Sequence, residues 1–76
     1  MIFAKVARMI SDKFKLDAGT LTMETKLKDD LNIDSLDSVE LIMELEEAFG
    51  LSIKDEEAAT LRTVGDIVNY IGAHAK

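Results

Sequence analysis

Seventy-six residues make one domain, spanning 1–76, whose single small core can supply only a few kcal/mol of stability. With no cysteine and no proline, disulfides and thiolate metal sites are excluded, and abundant Leu, Ile, Val, Met, Ala, Glu and Lys favour helices. A formal net charge of −6 repels phosphates and argues against nucleic-acid binding, while no apolar run is long enough to span a bilayer and the N-terminus lacks a signal-peptide pattern; a soluble, cytoplasmic, all-α chain with no membrane span is expected.

In chain order, Ile2, Phe3, Val6, Met9, Ile10 and Phe14 recur at helical spacing and predict a first helix over about residues 2–15. Residues 16–34 read as a long connection rich in Thr, Asp and Lys, pinned by Leu16, Leu21, Leu27 and Leu31, with one short helical turn near Lys28–Leu31. A connection of that length in so small a domain often goes with function. The second helix is predicted from Ser35 to Phe49, with Gly50 as its stop. A short third helix follows Asp55. Thr63 caps a fourth, in which Val64, Ile67, Val68 and Ile71 fall at i, i+3, i+4 and i+7.

Charge is unevenly distributed. Residues 34–57 hold nine acids against Lys54 alone, a net of −8, whereas residues 1–28 carry a net of +3. An acidic face of this kind suits basic partners, which it steers electrostatically. The second helix also carries more apolar residues than one buried stripe needs. Leu41, Ile42, Leu45 and Phe49 suffice for a core, so Leu36, Val39 and Met43 form a second strip beside Asp37, Glu40, Glu44 and Glu47. An apolar strip rimmed by carboxylates is suited to transient binding of basic surfaces; burial on two sides of a tight bundle is the competing reading.

The junction Asp34-Ser35-Leu36-Asp37-Ser38 concentrates the chemistry. Asp34 is a strong N-cap, which makes Ser35 the first helical residue, with its hydroxyl in solvent at the positive end of the helix dipole. Such a position favours an anionic group, a phosphodiester for instance. No His or Lys adjoins Ser35 in sequence, so it reads as a serine modified by another protein and not as a nucleophile with its own base.

The run from Asp34 through Gly50 resembles the signature helix of acyl carrier proteins, and Lys54-Asp55-Glu56-Glu57 and Thr63–Ile71 resemble that family's third and fourth helices. The similarity covers essentially the whole chain. It implies a small up-and-down four-helix bundle with a long first loop and a short third helix. It implies further that Ser35, set in its motif by Asp34 and Leu36, receives 4′-phosphopantetheine from coenzyme A by the action of a phosphopantetheinyl transferase. The thiol of that arm holds growing acyl chains as thioesters and delivers them to acyl-processing enzymes with basic docking patches, and the chain itself catalyses nothing. Leu36, Asp37, Val39, Glu40, Met43 and Glu47 match positions that partners contact. A free-standing monomer in fatty acid synthesis is the expected role; a polyketide, nonribosomal peptide or specialised lipid pathway, or a non-carrier acidic binding module, are the alternatives.

The chain departs from the commonest family pattern at three places. Asn32 stands where Gly is frequent, and Asn tolerates left-handed backbone. Ser38 replaces a frequent Thr and offers a second hydroxyl, but inside the helix, where the dipole advantage is gone. Lys54 replaces a frequent Pro ahead of the third helix. Asp30, Asn32 and Asp34 imitate the start of a calcium loop, yet Ser35 and Leu41 occupy positions where that loop needs Gly and Glu. A weak divalent site at Asp30, Asp34 and Asp37 is what remains of that pattern. His74 is expected to be a solvated tail residue, and Tyr70 to pack its ring on the fourth helix.

Overall fold

A computed structural model describes residues 2–74; Met1, Ala75 and Lys76, the ends of the expected 1–76 domain, lie outside the described residues. The apolar repeat at the start of the chain folds as α1, Ile2–Phe14, burying Val6, Ala7, Ile10 and Ser11 and packing chiefly against the last helix. It ends one residue earlier than the repeat predicts. Lys15 adopts a left-handed conformation, φ 56°, and the N–H of Leu16 closes back on the carbonyl of Ser11 at 2.9 Å. A lysine carries no sequence signal for this stop, which glycine usually supplies.

The long connection is not slack. Asp17 accepts a hydrogen bond from the Gly19 N–H at 2.9 Å and opens a 3₁₀ turn, Ala18–Thr20, that periodicity did not reveal; its signal is the Asx-turn chemistry of Asp17. Leu21 and Leu27 are buried as expected, and so is Ile33. The turn expected near Lys28–Leu31 forms, with the N–H groups of Asp30 and Leu31 both reaching the Lys26 carbonyl, at 3.0 and 3.1 Å. Asn32 is left-handed, φ 58°, so it serves the turn for which Gly is frequent.

Three backbone hydrogen bonds then lace this loop to the start of the last helix. The Leu27 N–H donates to Arg62 O at 3.0 Å, Val64 N–H to Thr25 O at 3.0 Å, and Gly65 N–H to Met23 O at 2.8 Å. Lys26 and Thr63 form an isolated antiparallel bridge at the centre of the lacing.

The second helix, α2, runs from Ser35 to Phe49, with Gly50 left-handed at φ 64°, as the sequence predicts. Leu41 and Leu45 are fully buried, while Ile42 and Phe49, expected in the same stripe, are only half-buried. Phe49 sits at the edge of the core beneath the Lys5 ammonium, 5.0 Å from the ring centre. The short α3, Asp55–Ala58, starts at Lys54, which supplies no side-chain cap; three acids in its first turn complement the dipole instead. The fourth helix, α4, Val64–His74, opens on a capping box. Thr63 Oγ1 accepts from the Asp66 N–H at 3.0 Å, and Asp66 Oδ2 accepts from the N–H groups of Thr63 and Arg62 at 3.2 and 3.0 Å. Among the described residues the fold is all-α, four helices around a core of Val6, Ile10, Leu41, Leu45, Val64, Ile67 and Ile71, with the long first loop and short third helix that the sequence resemblance implies.

Gly65 is the tightest point of the lacing. A Cβ there would lie 2.6 Å from the Met23 carbonyl oxygen. Gly65→Ala is therefore expected to destabilise the fold by about 1–3 kcal/mol, the usual cost of overpacking. Chemical denaturation checks this, and an unchanged midpoint would show that the loop is not held against α4.

Candidate functional site

The site is built at the start of α2. Asp34 has extended backbone, and its Oδ1 accepts the Asp37 N–H at 2.8 Å, satisfying one of the free donors of the first turn. Ser35 is the first helical residue and is exposed. The amides of Ser35 and Leu36 fall in the first turn, where no intrahelical acceptor exists. Ser38, by contrast, is half-buried and its N–H is spent on Asp34 O at 2.9 Å. The two serines are thus separated as the sequence suggests: one at the open helix end, one within the helix.

Beside Ser35 an open cleft of about 1010 Å³ runs between α2, α3 and the start of α4. Leu41, Ile42, Ala58, Leu61 and Ile67 give it apolar walls, and Ser35 and Ser38 lie on its border. Lys26, Lys28 and Arg62 line its polar part. Sequence reasoning did not find these three, because a basic residue in a loop has no periodicity to mark it. Only the lacing of the first loop to Arg62 brings them to one place.

The apolar strip of α2 faces solvent. Leu36 is 68% exposed, Val39 54% and Met43 60%, which removes the competing reading that the helix is buried on two sides. The carboxylates around it are not equivalent. Lys13 of α1 reaches Glu40 Oε1 at 3.2 Å and Glu44 Oε2 at 2.6 Å, and Glu46 Oε2 accepts the Ile53 N–H at 2.7 Å. Asp37 and Glu47 have no side-chain partner among the described residues. The hydrogen bond to Glu44, followed by those to and the charges of its glutamate partners, raises the Lys13 pKa above its ordinary value against the opposing effect of desolvation.

Two sequence expectations need correction. Asp30, Asp34 and Asp37 do not assemble a cation site: among the described residues no group of three or more acidic or histidine side chains converges to hold a metal ion. Asp30 Oδ2 accepts the Lys26 N–H at 2.8 Å and Asp34 Oδ1 the Asp37 N–H at 2.8 Å, so two of the three carboxylates are turned to separate backbone donors. His74 is exposed, as expected, but it belongs to the last helix and not to a tail beyond it. It ends α4, stacks on Tyr70 with ring centres 4.0 Å apart, and its Nε2 lies 4.0 Å from Glu57 Oε2. Tyr70 in turn donates to Glu57 Oε1 at 3.0 Å, tying α3, one wall of the cleft, to α4.

These residues fit a phosphopantetheine arm. Ser35 offers an accessible hydroxyl, the free amides of the helix start suit a phosphodiester, the cleft walls suit apolar cargo, and the chain has no thiol of its own. Residues 4–71 match the family described as the phosphopantetheine attachment site. The acyl carrier protein of Clostridium acetobutylicum is 51% identical over 76 residues, 100% of this chain and 99% of its own. That of Lactobacillus johnsonii is 47% identical over 73 residues, 96% of this chain and 91% of its own. The solved structure of the acyl carrier protein from Enterococcus faecalis superposes with a TM-score of 0.85 at 42% identity, covering 97% of this chain and 94% of that one. The chain belongs to the phosphopantetheine-attachment family, the acyl carrier proteins. Its cofactor is accordingly 4′-phosphopantetheine, and its role is that of a carrier, not an enzyme.

Burial first, and then the hydrogen bond to Glu57, raise the Tyr70 pKa above its ordinary value of 10.0. The folded state therefore holds the phenol proton more tightly than the unfolded chain. That contribution is complete below pH 10.0 and is lost as pH rises through the folded value. Lys13, also raised from its ordinary 10.5, contributes with the same sign. Tyr70→Phe is expected to lower Tm at neutral pH and to flatten, without abolishing, the fall in Tm above pH 10. Parallel melting curves for the two proteins across that range would contradict the α3–α4 tie.

Proposed function

We propose that Ser35 is the attachment residue for 4′-phosphopantetheine and that the chain carries acyl groups in fatty acid synthesis, as a cytoplasmic monomer. The observation that supports Ser35 above Ser38 is its exposure as the first residue of α2, whereas Ser38 is half-buried within the helix. When bound, the arm supplies the thiol on which acyl groups are held as thioesters. The residues of the chain do the rest: Asp34 fixes the helix start, the Ser35 and Leu36 amides would hold the phosphodiester, and Leu41, Ile42, Leu61 and Ile67 line the space open to apolar cargo. Leu36, Val39 and Met43, with Asp37, Glu40 and Glu47 around them, form the face that docks the phosphopantetheinyl transferase and acyl-processing enzymes through their basic patches.

Intact mass after incubation with coenzyme A and a broad-specificity phosphopantetheinyl transferase tests the assignment. One phosphopantetheine is expected on the natural chain and on Ser38→Ala, and none on Ser35→Ala. Because Ser35 is exposed and Asp34 does the capping, Ser35→Ala is expected to change stability by no more than about 0.5 kcal/mol. Loading of Ser35→Ala, or no loading of the natural chain by several transferases, would remove Ser35 from this role and favour a non-carrier binding module.

A further inference from the structure

The acidic face of α2 is partly neutralised from within. Leu36, Glu40 and Glu44 follow one another at i, i+4 and i+8, so Glu40 and Glu44 border the apolar strip along one side of the helix. Lys13 approaches that side from α1 and bridges both carboxylates, at 3.2 and 2.6 Å. Lys13 is itself only 18% exposed in its side chain, against 54% and 49% for the two glutamates; the cation is drawn in while the carboxylates stay accessible. A basic side chain arriving from a partner meets Glu40 and Glu44 already paired, but meets Asp37 and Glu47 with no side-chain partner among the described residues.

We propose that Lys13 is a built-in competitor for the basic groups of docking partners. It occupies Glu40 and Glu44 in the free chain, is displaced when a partner docks, and leaves Asp37 and Glu47 as the carboxylates that make first contact. The inference rests on the docking-face reading above. Its physical basis is exchange: a partner cation that takes over Glu40 or Glu44 gains a surface pair only by breaking one, whereas a pair made with Asp37 or Glu47 breaks none. The presence of Lys13 also lowers the local negative charge that steers association. Lys13 thus tempers affinity, which suits a chain that must release each partner before meeting the next.

Two measurements test this with the whole chain and a phosphopantetheinyl transferase as probe. At low ionic strength, with helicity confirmed by circular dichroism, Lys13→Gln is expected to be loaded about two- to fivefold faster than the natural chain, the range of an exposed ion pair. The gain should vanish as salt is raised, and also when Glu40→Gln and Glu44→Gln are introduced together. Unchanged or slower loading of a folded Lys13→Gln overturns the proposal. The second measurement needs no variant: the transferase is titrated into the natural chain without coenzyme A, and the Lys13 side-chain NMR signals are followed alongside the Val39 and Met43 methyls. Movement of all three supports displacement. Moving methyls with a motionless Lys13 reject the competitor alone; motionless methyls reject the docking face and the competitor with it.

Discussion

Three backbone hydrogen bonds between the first loop and the segment entering α4 set the geometry on which the site depends. Without the bonds from Leu27 to Arg62, Val64 to Thr25 and Gly65 to Met23, residues 16–34 would be a long tether joining α1 to α2. With them, Leu21, Leu27 and Ile33 are held in the core and the chain is delivered to Asp34 along a fixed path. Asp34 then caps α2, and Ser35 emerges in solvent at the helix start. The absence of a side chain at Gly65 permits the closest of these approaches, and the Thr63–Asp66 capping box fixes the α4 end of the lacing.

The cleft follows from the same arrangement. Its walls are α2, which is rigidly buried along Leu41 and Leu45, and α3, which is short, lacks a side-chain cap and is tied to α4 mainly by Tyr70 and Glu57. On the carrier reading proposed above, a firm wall opposite a lightly tethered one suits a space for apolar cargo, because local opening draws on the elements of least intrinsic stability. Carrier function therefore asks two different things of one small core: a fixed helix start for the attachment residue and an adjustable wall beside it. On the docking-face reading proposed above, the charge pattern adds a third, an accessible carboxylate-rimmed strip suited to basic partners, and the proposed role of the Lys13 bridge belongs to that balance.

Much of this was legible in the sequence. The bounds of α2, the Gly50 stop, the Asp34 cap, the Thr63 cap and the exposed strip of Leu36, Val39 and Met43 all follow from local patterns with strong physical causes, and the structure places them as expected. What could not be read depends on contacts between distant segments. Lys15 stops α1 with no local signal. Lys26, Lys28 and Arg62 share the cleft only because loop and α4 are laced. Glu40 and Glu47 look alike on a helical repeat, and only the approach of Lys13 distinguishes them. The carboxylates of Asp30, Asp34 and Asp37 suggested a cation site by spacing, but backbone N–H groups claimed two of them first. His74 and Tyr70, bland by position, meet Glu57 because α3 folds back against α4.

Amide hydrogen exchange followed residue by residue tests most directly whether the lacing holds the site in place. The N–H groups of Leu27, Val64 and Gly65 are expected to exchange about as slowly as that of Leu45 in the centre of α2, since opening them requires the core to open. Exchange at those three positions as fast as at the exposed Lys28 would contradict it. Ser35 would then begin a helix whose entry path is not fixed by the rest of the fold.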